Sequence, residues 1–190
     1  METILKSARG IKNGWRQFVE RGAVAPSSRY LARRMSECIP RHGNPVVVEL
    51  GAGAGSLTQE ILSRLPKKGR LVAIEVEPRL AESLKRRYFD SRFEVITGNA
   101  MHLSDYLVGA GIGKVDYVIS GLPLGNFPRL QQTRILTQIK NCLSQNGVYV
   151  QFQYFLASVW RIKRVFQNVE IGFEPRNIPP AFVMTCKNGE

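Results

Sequence analysis

The chain has 190 residues, of which 44% are hydrophobic and 22% are charged. These values are typical of one folded domain with its own core, and the lack of a long apolar stretch excludes an integral membrane protein. The 27 Lys and Arg residues against 15 Asp and Glu residues give a net charge of +12, which indicates a polyanionic partner. Nucleic acid and an anionic membrane surface are both candidates, and basicity that serves only solubility is a third possibility.

The first 22 residues predict a basic amphipathic helix. On a helical wheel the apolar residues share one face, and the basic residues crowd the adjoining face. Gly10 and Gly14 each cost such a helix about 1 kcal/mol, so we expect it to fold when it is bound. A membrane is the expected partner, while packing over the domain and contact with nucleic acid are alternatives. The residues expected to contact the membrane are Lys6, Arg9, Ile11, Lys12, Trp15, Arg16 and Phe18.

Residues 23–190 are expected to form a single domain in which strands and helices alternate. Ser27 and Ser28 offer N-caps for a helix over about 29–39, which Pro40 and Gly43 end. This alternation predicts an α/β fold with a parallel-dominated sheet and helices on both faces. The predicted strands are 45–50, 70–75, 92–97, 115–120, 147–154, 169–174 and 181–187. The other predicted helices are 56–65, 78–89 and 129–143.

A glycine turn follows the first predicted strand. Gly51, Gly53 and Gly55 alternate with alanines between the apolar run 46–50 and the next helix. Three positions without a Cβ let the backbone approach a ligand, and the N–H groups at the start of the helix point at that ligand. The turn therefore indicates a nucleotide-like cofactor, although similar turns serve NAD, FAD and purely structural ends.

The second apolar strand ends in Glu75, at a distance from the glycine turn that suits a contact with both ribose hydroxyls. Capping of the next helix is the alternative role for Glu75. However, Glu77 stands directly before Pro78 and is better placed to cap that helix. The turn reads Gly-x-Gly-x-Gly rather than the dinucleotide pattern Gly-x-Gly-x-x-Gly, which favours S-adenosylmethionine over NAD.

Four segments in order resemble successive motifs of class I S-adenosylmethionine-dependent methyltransferases. They are residues 49–55, 74–78, 98–100 and 120–124, and the resemblance spans roughly residues 24–186. It implies a Rossmann-like, seven-stranded, mostly parallel sheet whose last strand is antiparallel. It also implies S-adenosylmethionine as cofactor, S-adenosylhomocysteine as product, and no metal.

The resemblance also implies which residues contact the cofactor. Glu49 and the glycine turn would hold the methionine end, Glu75 the ribose, and Asn99 with Ala100 the adenine. Asp is more frequent than Asn at position 99, so a modest change in affinity is expected. The full set of implied cofactor residues is Glu49, Gly51, Ala52, Gly53, Gly55, Glu75, Val76, Asn99, Ala100, Ser120, Gly121 and Leu122.

Residues 120–124 distinguish between substrate classes. The first part of the chain is similar to ribosomal RNA adenine dimethyltransferases, which carry Asn-(Leu/Ile)-Pro-(Tyr/Phe) in this segment. In that family the Asn accepts a hydrogen bond from the target amine, and the aromatic ring stacks on a flipped base. Gly121 and Leu124 replace both residues, so a nucleobase target loses support and nucleic acid is disfavoured as a partner.

Residues 22–31, 120–124 and 177–183 together resemble bacterial phospholipid N-methyltransferases, which methylate phosphatidylethanolamine successively to phosphatidylcholine. This resemblance implies a peripheral enzyme on the inner face of the cell membrane, acting on an aminophospholipid or on a similar aminolipid such as ornithine lipid. The absence of a secretory signal and of paired cysteine spacing agrees with a cytoplasmic protein. The implied substrate-binding residues are Ser27, Ser28, Arg29, Pro123 and Pro180.

Methylation of a lipid ammonium requires that it first lose a proton. Tyr30, His102 and Tyr154 are the candidates for receiving this proton, and His102 is alternatively a helix-start residue without a chemical role. Arg29, or a cation within residues 161–164, could pair with the headgroup phosphate.

The aromatic and basic residues of segment 152–164 have three possible roles. They could lie among lipid headgroups or stack on bases. Alternatively, the first of them could form the end of a buried strand, with only the later residues exposed.

Two further functions remain open at this point. One is an RNA adenine N6-methyltransferase, motivated by the similar first half and the positive charge. The other is a non-catalytic membrane-binding protein with a vestigial cofactor site, motivated by the amphipathic segment and by Asn99.

Overall fold

The computed structural model describes residues 28–156 and 159–189. These residues form seven strands and six α-helices. The strands are β1 Val46–Leu50, β2 Arg70–Glu75, β3 Phe93–Thr97, β4 Val115–Ser120, β5 Leu143–Gln153, β6 Asn168–Glu174 and β7 Ala181–Lys187. The helices are α1 Arg29–Ser36, α2 Ser56–Arg64, α3 Pro78–Arg87, α4 Leu103–Gly109, α5 Arg129–Cys142 and α6 Val159–Val165. The amphipathic segment 1–22 and Ser27 lie outside the described residues, so their roles stay predictions.

The strands form one sheet in the order β3-β2-β1-β4-β5-β7-β6. The neighbours from β3 to β5 are parallel, whereas β7 runs antiparallel to both β5 and β6. This topology confirms the predicted Rossmann-like methyltransferase fold, including the antiparallel last strand. The strand order reverses between β1 and β4, and ligands of open α/β sheets bind beyond the carboxyl ends of the strands at such a point.

Helices cover both faces of the sheet, as predicted. Val48 of β1 packs in a core with α4, α5 and α6, while Val47, which points to the other face, packs with α1 and α2. A small cluster that includes Ala73 of β2 and Leu84 of α3 completes the second face. Successive strand residues alternate between faces, so runs such as 46–50 are buried on both sides and read as continuous apolar stretches.

Several element boundaries differ from the predictions. Helix α1 ends at Ser36 rather than at residue 39, and β5 begins at Leu143 rather than at residue 147. Helices α4 and α6 were absent from the sequence-based assignment because each spans only seven residues, too few to show a clear helical period. Among the described helices, none is both long and apolar enough to cross a membrane.

Candidate active site

The glycine turn lies where the carboxyl ends of β1, β2 and β4 meet. The Gly51 N–H donates to the Ile74 carbonyl (2.8 Å), and the Gly121 N–H donates to the Leu50 carbonyl (2.8 Å). These bonds join the turn after β1 to the ends of both neighbouring strands. The sequence segments predicted to bind one cofactor are therefore brought together at this edge of the sheet.

Gly51 and Gly53 of the turn both have positive φ angles, but their surroundings differ. Gly51 has φ +71°, and a Cβ there would lie 2.7 Å from the Leu122 Cδ2 atom. Gly53 has φ +53°, yet a Cβ there would meet nothing within 4 Å. The conformation at both positions disfavours other residues, but only Gly53 borders open space. A ligand can thus approach the backbone at Gly53, which fits the predicted cofactor cradle.

Glu75 is fixed by two backbone donors. Its Oε2 accepts from the Gly53 N–H (2.8 Å) and its Oε1 accepts from the Glu77 N–H (2.9 Å). Glu75 is only 6% exposed, and its carboxylate keeps further acceptor capacity because each oxygen has two lone pairs. Glu77 caps α3 through the Arg79 N–H, with Pro78 as the first helical residue, as the sequence predicted. The capping role is thereby filled, which leaves Glu75 available for a ribose.

Glu49 is a buried acid with an unused oxygen. Its Oε2 accepts from the Thr58 hydroxyl (2.7 Å), while its fully buried Oε1 has no hydrogen-bond partner among residues 28–156 and 159–189. Burial raises the pKa of Glu49 to about 8, and the nearby charge of Glu75 acts in the same direction. A cationic group would satisfy this carboxyl and favour its ionised form. The ammonium of the methionine end of S-adenosylmethionine has that charge.

Further predicted cofactor residues lie after β2 and β3, and of these Asn99 and Ala100 are the predicted adenine contacts. Val76 is 65% exposed directly beyond Glu75, and Ala100 is buried. Asn99 is exposed, and its Oδ1 caps the short 3-10 turn 100–102 by accepting from the Met101 N–H (3.0 Å). The Asn99 side-chain oxygen still has a second lone pair for an adenine amino group. Position 99 is therefore compatible with the predicted contact.

A buried hydrogen-bond network holds the loop after β4. Gln151 of β5 donates from its Nε2 to the Leu122 carbonyl (2.9 Å), and its Oε1 accepts from the Tyr149 hydroxyl (2.8 Å). Ser120, also buried, accepts from the Leu122 N–H (3.3 Å). Gln151 was not among the predicted site residues, although a glutamine within a buried strand is itself a signal, because an unpaired buried amide is costly.

The loop 121–124 cannot present the base-reading residues of the RNA enzymes. A Cβ at Gly121 would lie 2.8 Å from the Gly51 carbonyl oxygen, so no side chain fits without a backbone shift. Leu124, at the position of the stacking aromatic, is fully buried in the core, and Pro123 is half-buried. The structure thus has no space for a side chain at position 121 and buries the side chain at position 124, in agreement with the loss of both base-reading residues.

Helix α1 and the loop between β6 and β7 meet beside β5. The Ser28 N–H donates to the Asn177 Oδ1 (3.1 Å), and the Ser28 hydroxyl caps α1 by accepting from the Leu31 N–H (3.3 Å). Asn177 also donates to the Pro179 carbonyl (2.6 Å). Residues from the two ends of the domain, including exposed Pro180, therefore share one region.

Tyr30 lies among cationic side chains. The Arg29 guanidinium donates to the Tyr30 hydroxyl (3.1 Å) and lowers the pKa of that phenol. Arg176 lies over the Tyr30 ring (4.6 Å to its centroid) and also pairs with buried Glu174 through bonds of 2.8 and 2.9 Å. These contacts lower the pKa of Glu174 to about 2, so its carboxylate and both guanidiniums are charged at neutral pH.

The three candidate proton acceptors do not form one cluster within the described part of the chain. Tyr154 packs against Phe152 and the core that includes Leu31 of α1, and burial raises the pKa of its phenol. His102 instead lies beside Asp105 (3.5 Å) and Tyr106, where it precedes α4. The structure therefore supports the helix-start interpretation of His102 and places the two tyrosines on the side of α1.

The basic and aromatic segment 152–164 divides into two parts. Phe152 and Tyr154 pack against each other at the buried end of β5, whereas Phe155, Leu156 and Trp160 are 43–55% exposed. In α6 the guanidiniums of Arg161 and Arg164 lie 4.4 and 5.0 Å from the Trp160 ring centroid. The alternative of a buried strand end is thus correct for the first part, and the second part is an exposed cationic and aromatic surface.

The chain is similar in sequence to known methyltransferases. Residues 47–147 match a methyltransferase domain family. The chain is 35% identical to an ornithine lipid N-methyltransferase of Singulisphaera acidiphila over 167 residues, which are 87% of each chain. A shorter match of 71 residues, 38% identical, is to ribosomal RNA small subunit methyltransferase H of Shewanella oneidensis. It covers 37% of this chain and 23% of that enzyme.

Among solved structures, 1,6-didemethyltoxoflavin-N1-methyltransferase of Burkholderia thailandensis, with bound S-adenosylhomocysteine, has a similar fold. The TM-score is 0.67 at 17% identity, over 97% of this chain and 90% of that one. A predicted O-methyltransferase of Agrobacterium tumefaciens gives a TM-score of 0.64 at 19% identity, over 84% and 81% of the two chains. At these identities the likeness shows the fold alone.

Proposed function

This chain belongs to the class I S-adenosylmethionine-dependent methyltransferases, and we propose that it methylates the amine of a membrane aminolipid. The observation that carries the proposal is the 35% identity to an ornithine lipid N-methyltransferase over 87% of both chains. Ornithine lipid and phosphatidylethanolamine both carry a primary amine and an anionic group in the same headgroup. Both are therefore candidate acceptors, and methylation of phosphatidylethanolamine would proceed towards phosphatidylcholine.

The geometry after β4 supports a lipid amine over a nucleobase. A base extruded from RNA needs an aromatic partner and a polar group for its edge. Here Leu124 is buried in the core and Gly121 has no space for a side chain. The resemblance to the RNA enzyme covers less than a quarter of that protein. RNA methylation is therefore the alternative activity that the experiment below also measures.

The residues of this site have separable chemical tasks. Bound S-adenosylmethionine supplies a methyl group activated by the adjoining sulfonium charge. The lipid nitrogen must be neutral, because its lone pair forms the new C–N bond while the S–C bond breaks. Tyr30 and Tyr154 are the candidate acceptors of the ammonium proton on the side of α1; Arg29 lowers the pKa of Tyr30, whereas burial raises the pKa of Tyr154. Glu49, Gly53 and Glu75 bind and orient the cofactor.

The exposed surface of α6 supports the proposed attachment to an anionic membrane. Trp160, Lys163 and Arg164 are spaced three and four residues apart, so they lie on one side of the helix, and all three are exposed. Tryptophan suits the boundary between headgroups and acyl chains, and each nearby cation contributes about 1 kcal/mol of attraction to anionic lipid. Buried Ile162 anchors the opposite side of α6 in the core.

Replacing Trp160 with glutamate is expected to weaken binding to vesicles of anionic lipid about tenfold, because the change removes an interfacial ring and adds a repelled charge. Sedimentation with vesicles measures this affinity. Phe89→Glu is the matched control, since Phe89 is a 94% exposed aromatic residue beyond α3. Equal loss in both variants would show that only net charge matters and would contradict a specific role for this surface.

A cellular experiment tests the proposed function. The chain is expressed in a bacterium that makes phosphatidylethanolamine and ornithine lipid but no N-methylated lipids, and the extracted lipids are separated by mass. Methylated derivatives are expected with the wild-type chain and not with Glu75→Ala. Unmodified lipid together with newly methylated ribosomal RNA would contradict the proposal and favour the RNA alternative.

A further inference from the structure

The side chain of Gln153 is buried without a hydrogen-bond partner. The residue is 7% exposed, and both its Nε2 and its Oε1 lack a partner among residues 28–156 and 159–189. An unsatisfied buried amide destabilises a fold, and such groups in native proteins are usually paired. Gln151, two residues earlier on the same face of β5, satisfies its amide completely. The unpaired state of Gln153 therefore calls for a ligand or a function.

Gln153 is the last residue of β5 and lies at the edge of the sheet where the carboxyl ends of the parallel strands meet. Ser120, the last residue of β4, is opposite Gln151, so Gln153 extends beyond the end of β4 beside the loop 121–124. Side chains alternate along a strand, so Gln153 points to the same face as Tyr149 and Gln151. Neither the glycine turn nor Glu75 uses this side chain.

An aromatic row leads from Gln153 to the edge of the sheet. Gln153 pairs with Phe182 of β7, which in turn pairs with Phe173 of β6. Directly opposed residues of antiparallel strands share a face, so the amide and the two rings lie side by side. The ring centroids are 5.1 Å apart, and Phe173, on the edge strand, is 48% exposed. The row thus begins at a buried polar group and ends at an exposed apolar one.

We infer that Gln153 binds the amine of the lipid acceptor, with Phe182 and Phe173 beside the apolar part of the same molecule. The inference rests on the proposed aminolipid methylation and names the residues that would recognise this substrate. The Gln153 Oε1 would accept a hydrogen bond from the amine N–H, which leaves the nitrogen lone pair free for the methyl group. RNA enzymes place an amide for this purpose at the position of Gly121, where this chain has no space for one.

The matched variants Gln153→Leu and Gln167→Leu test this assignment. Both replace an amide with an apolar side chain of similar size, but Gln167 is exposed after α6. With Gln153→Leu, kcat/KM for the aminolipid is expected to fall roughly ten- to a hundredfold, the effect of losing one buried hydrogen bond to substrate. S-adenosylhomocysteine affinity should be unchanged, and the melting temperature should be equal to or above that of the wild type. Gln167→Leu should behave as wild type in all three measurements.

The outcomes separate this inference from the proposed function. A lower melting temperature for Gln153→Leu would show that the amide has a structural partner and would overturn the inference. So would unchanged kcat/KM in that variant alongside an active wild type. If the wild-type chain methylates no aminolipid, the proposed function fails, and the inference fails with it.

Discussion

Glu75→Ala is expected to weaken binding of S-adenosylhomocysteine at least about a hundredfold, as measured by calorimetric titration. The variant loses the predicted acceptor of the ribose hydroxyls, and hydrogen bonds to a charged group contribute about 1.5–3 kcal/mol each. It also leaves the Gly53 N–H without its acceptor, so the glycine turn loses one of the hydrogen bonds that hold it in place. The expected loss of affinity therefore has two causes: the lost hydrogen bonds to the ribose and a less ordered glycine turn.

Glu77→Ala is the matched control for this prediction. It removes the same type of side chain two residues later and costs the cap of α3, about 1 kcal/mol of stability. Its affinity for S-adenosylhomocysteine should stay close to that of the wild type. A Glu75→Ala protein that binds the product as tightly as Glu77→Ala would show that Glu75 is a structural residue only.

Glu49→Gln is expected to make the folded protein more stable at pH 8, by about 4 kcal/mol relative to the wild type. The pKa of Glu49 rises from an ordinary 4.5 to about 8 in the fold, mainly through burial. The folded state therefore holds a proton that the unfolded state releases, and wild-type stability falls by up to about 1.4 kcal/mol per pH unit between these pKa values. A neutral glutamine removes this dependence.

Urea unfolding of both proteins at pH 5 and at pH 8 measures the effect. The stability difference between the variant and the wild type should be small at pH 5 and large at pH 8. The variant should also bind S-adenosylhomocysteine more weakly at pH 8, since it lacks the carboxylate predicted to pair with the ammonium of the ligand. Parallel pH profiles for the two proteins would contradict the raised pKa.

Much of the fold could be predicted because its strands are short apolar runs bounded by turns. The run 46–50 and the glycines that follow it specify a strand and a tight turn through local chemistry alone. Glu77 could be assigned as a cap because Pro78 can begin a helix but cannot continue one. These features depend on neighbours in the sequence, and the structure confirms them.

The residues that could not be predicted depend on register and on packing between distant segments. Gln151 reaches the Leu122 carbonyl only because β5 pairs with β4 in one register. Arg176 lies over Tyr30 because the loop after β6 folds back onto α1. Gln153 became a candidate only when its burial and its missing partners were known. Periodicity along one segment carries none of this information.

The most direct test of aminolipid methylation uses the purified chain, methyl-labelled S-adenosylmethionine and vesicles that contain anionic lipid with either phosphatidylethanolamine or ornithine lipid. Vesicles of phosphatidylcholine, which lacks a free amine, and ribosomal RNA serve as comparison acceptors. The label is expected in the lipid fraction with at least one aminolipid and not with phosphatidylcholine or RNA. A chain that binds S-adenosylhomocysteine but labels neither aminolipid would contradict the proposed function.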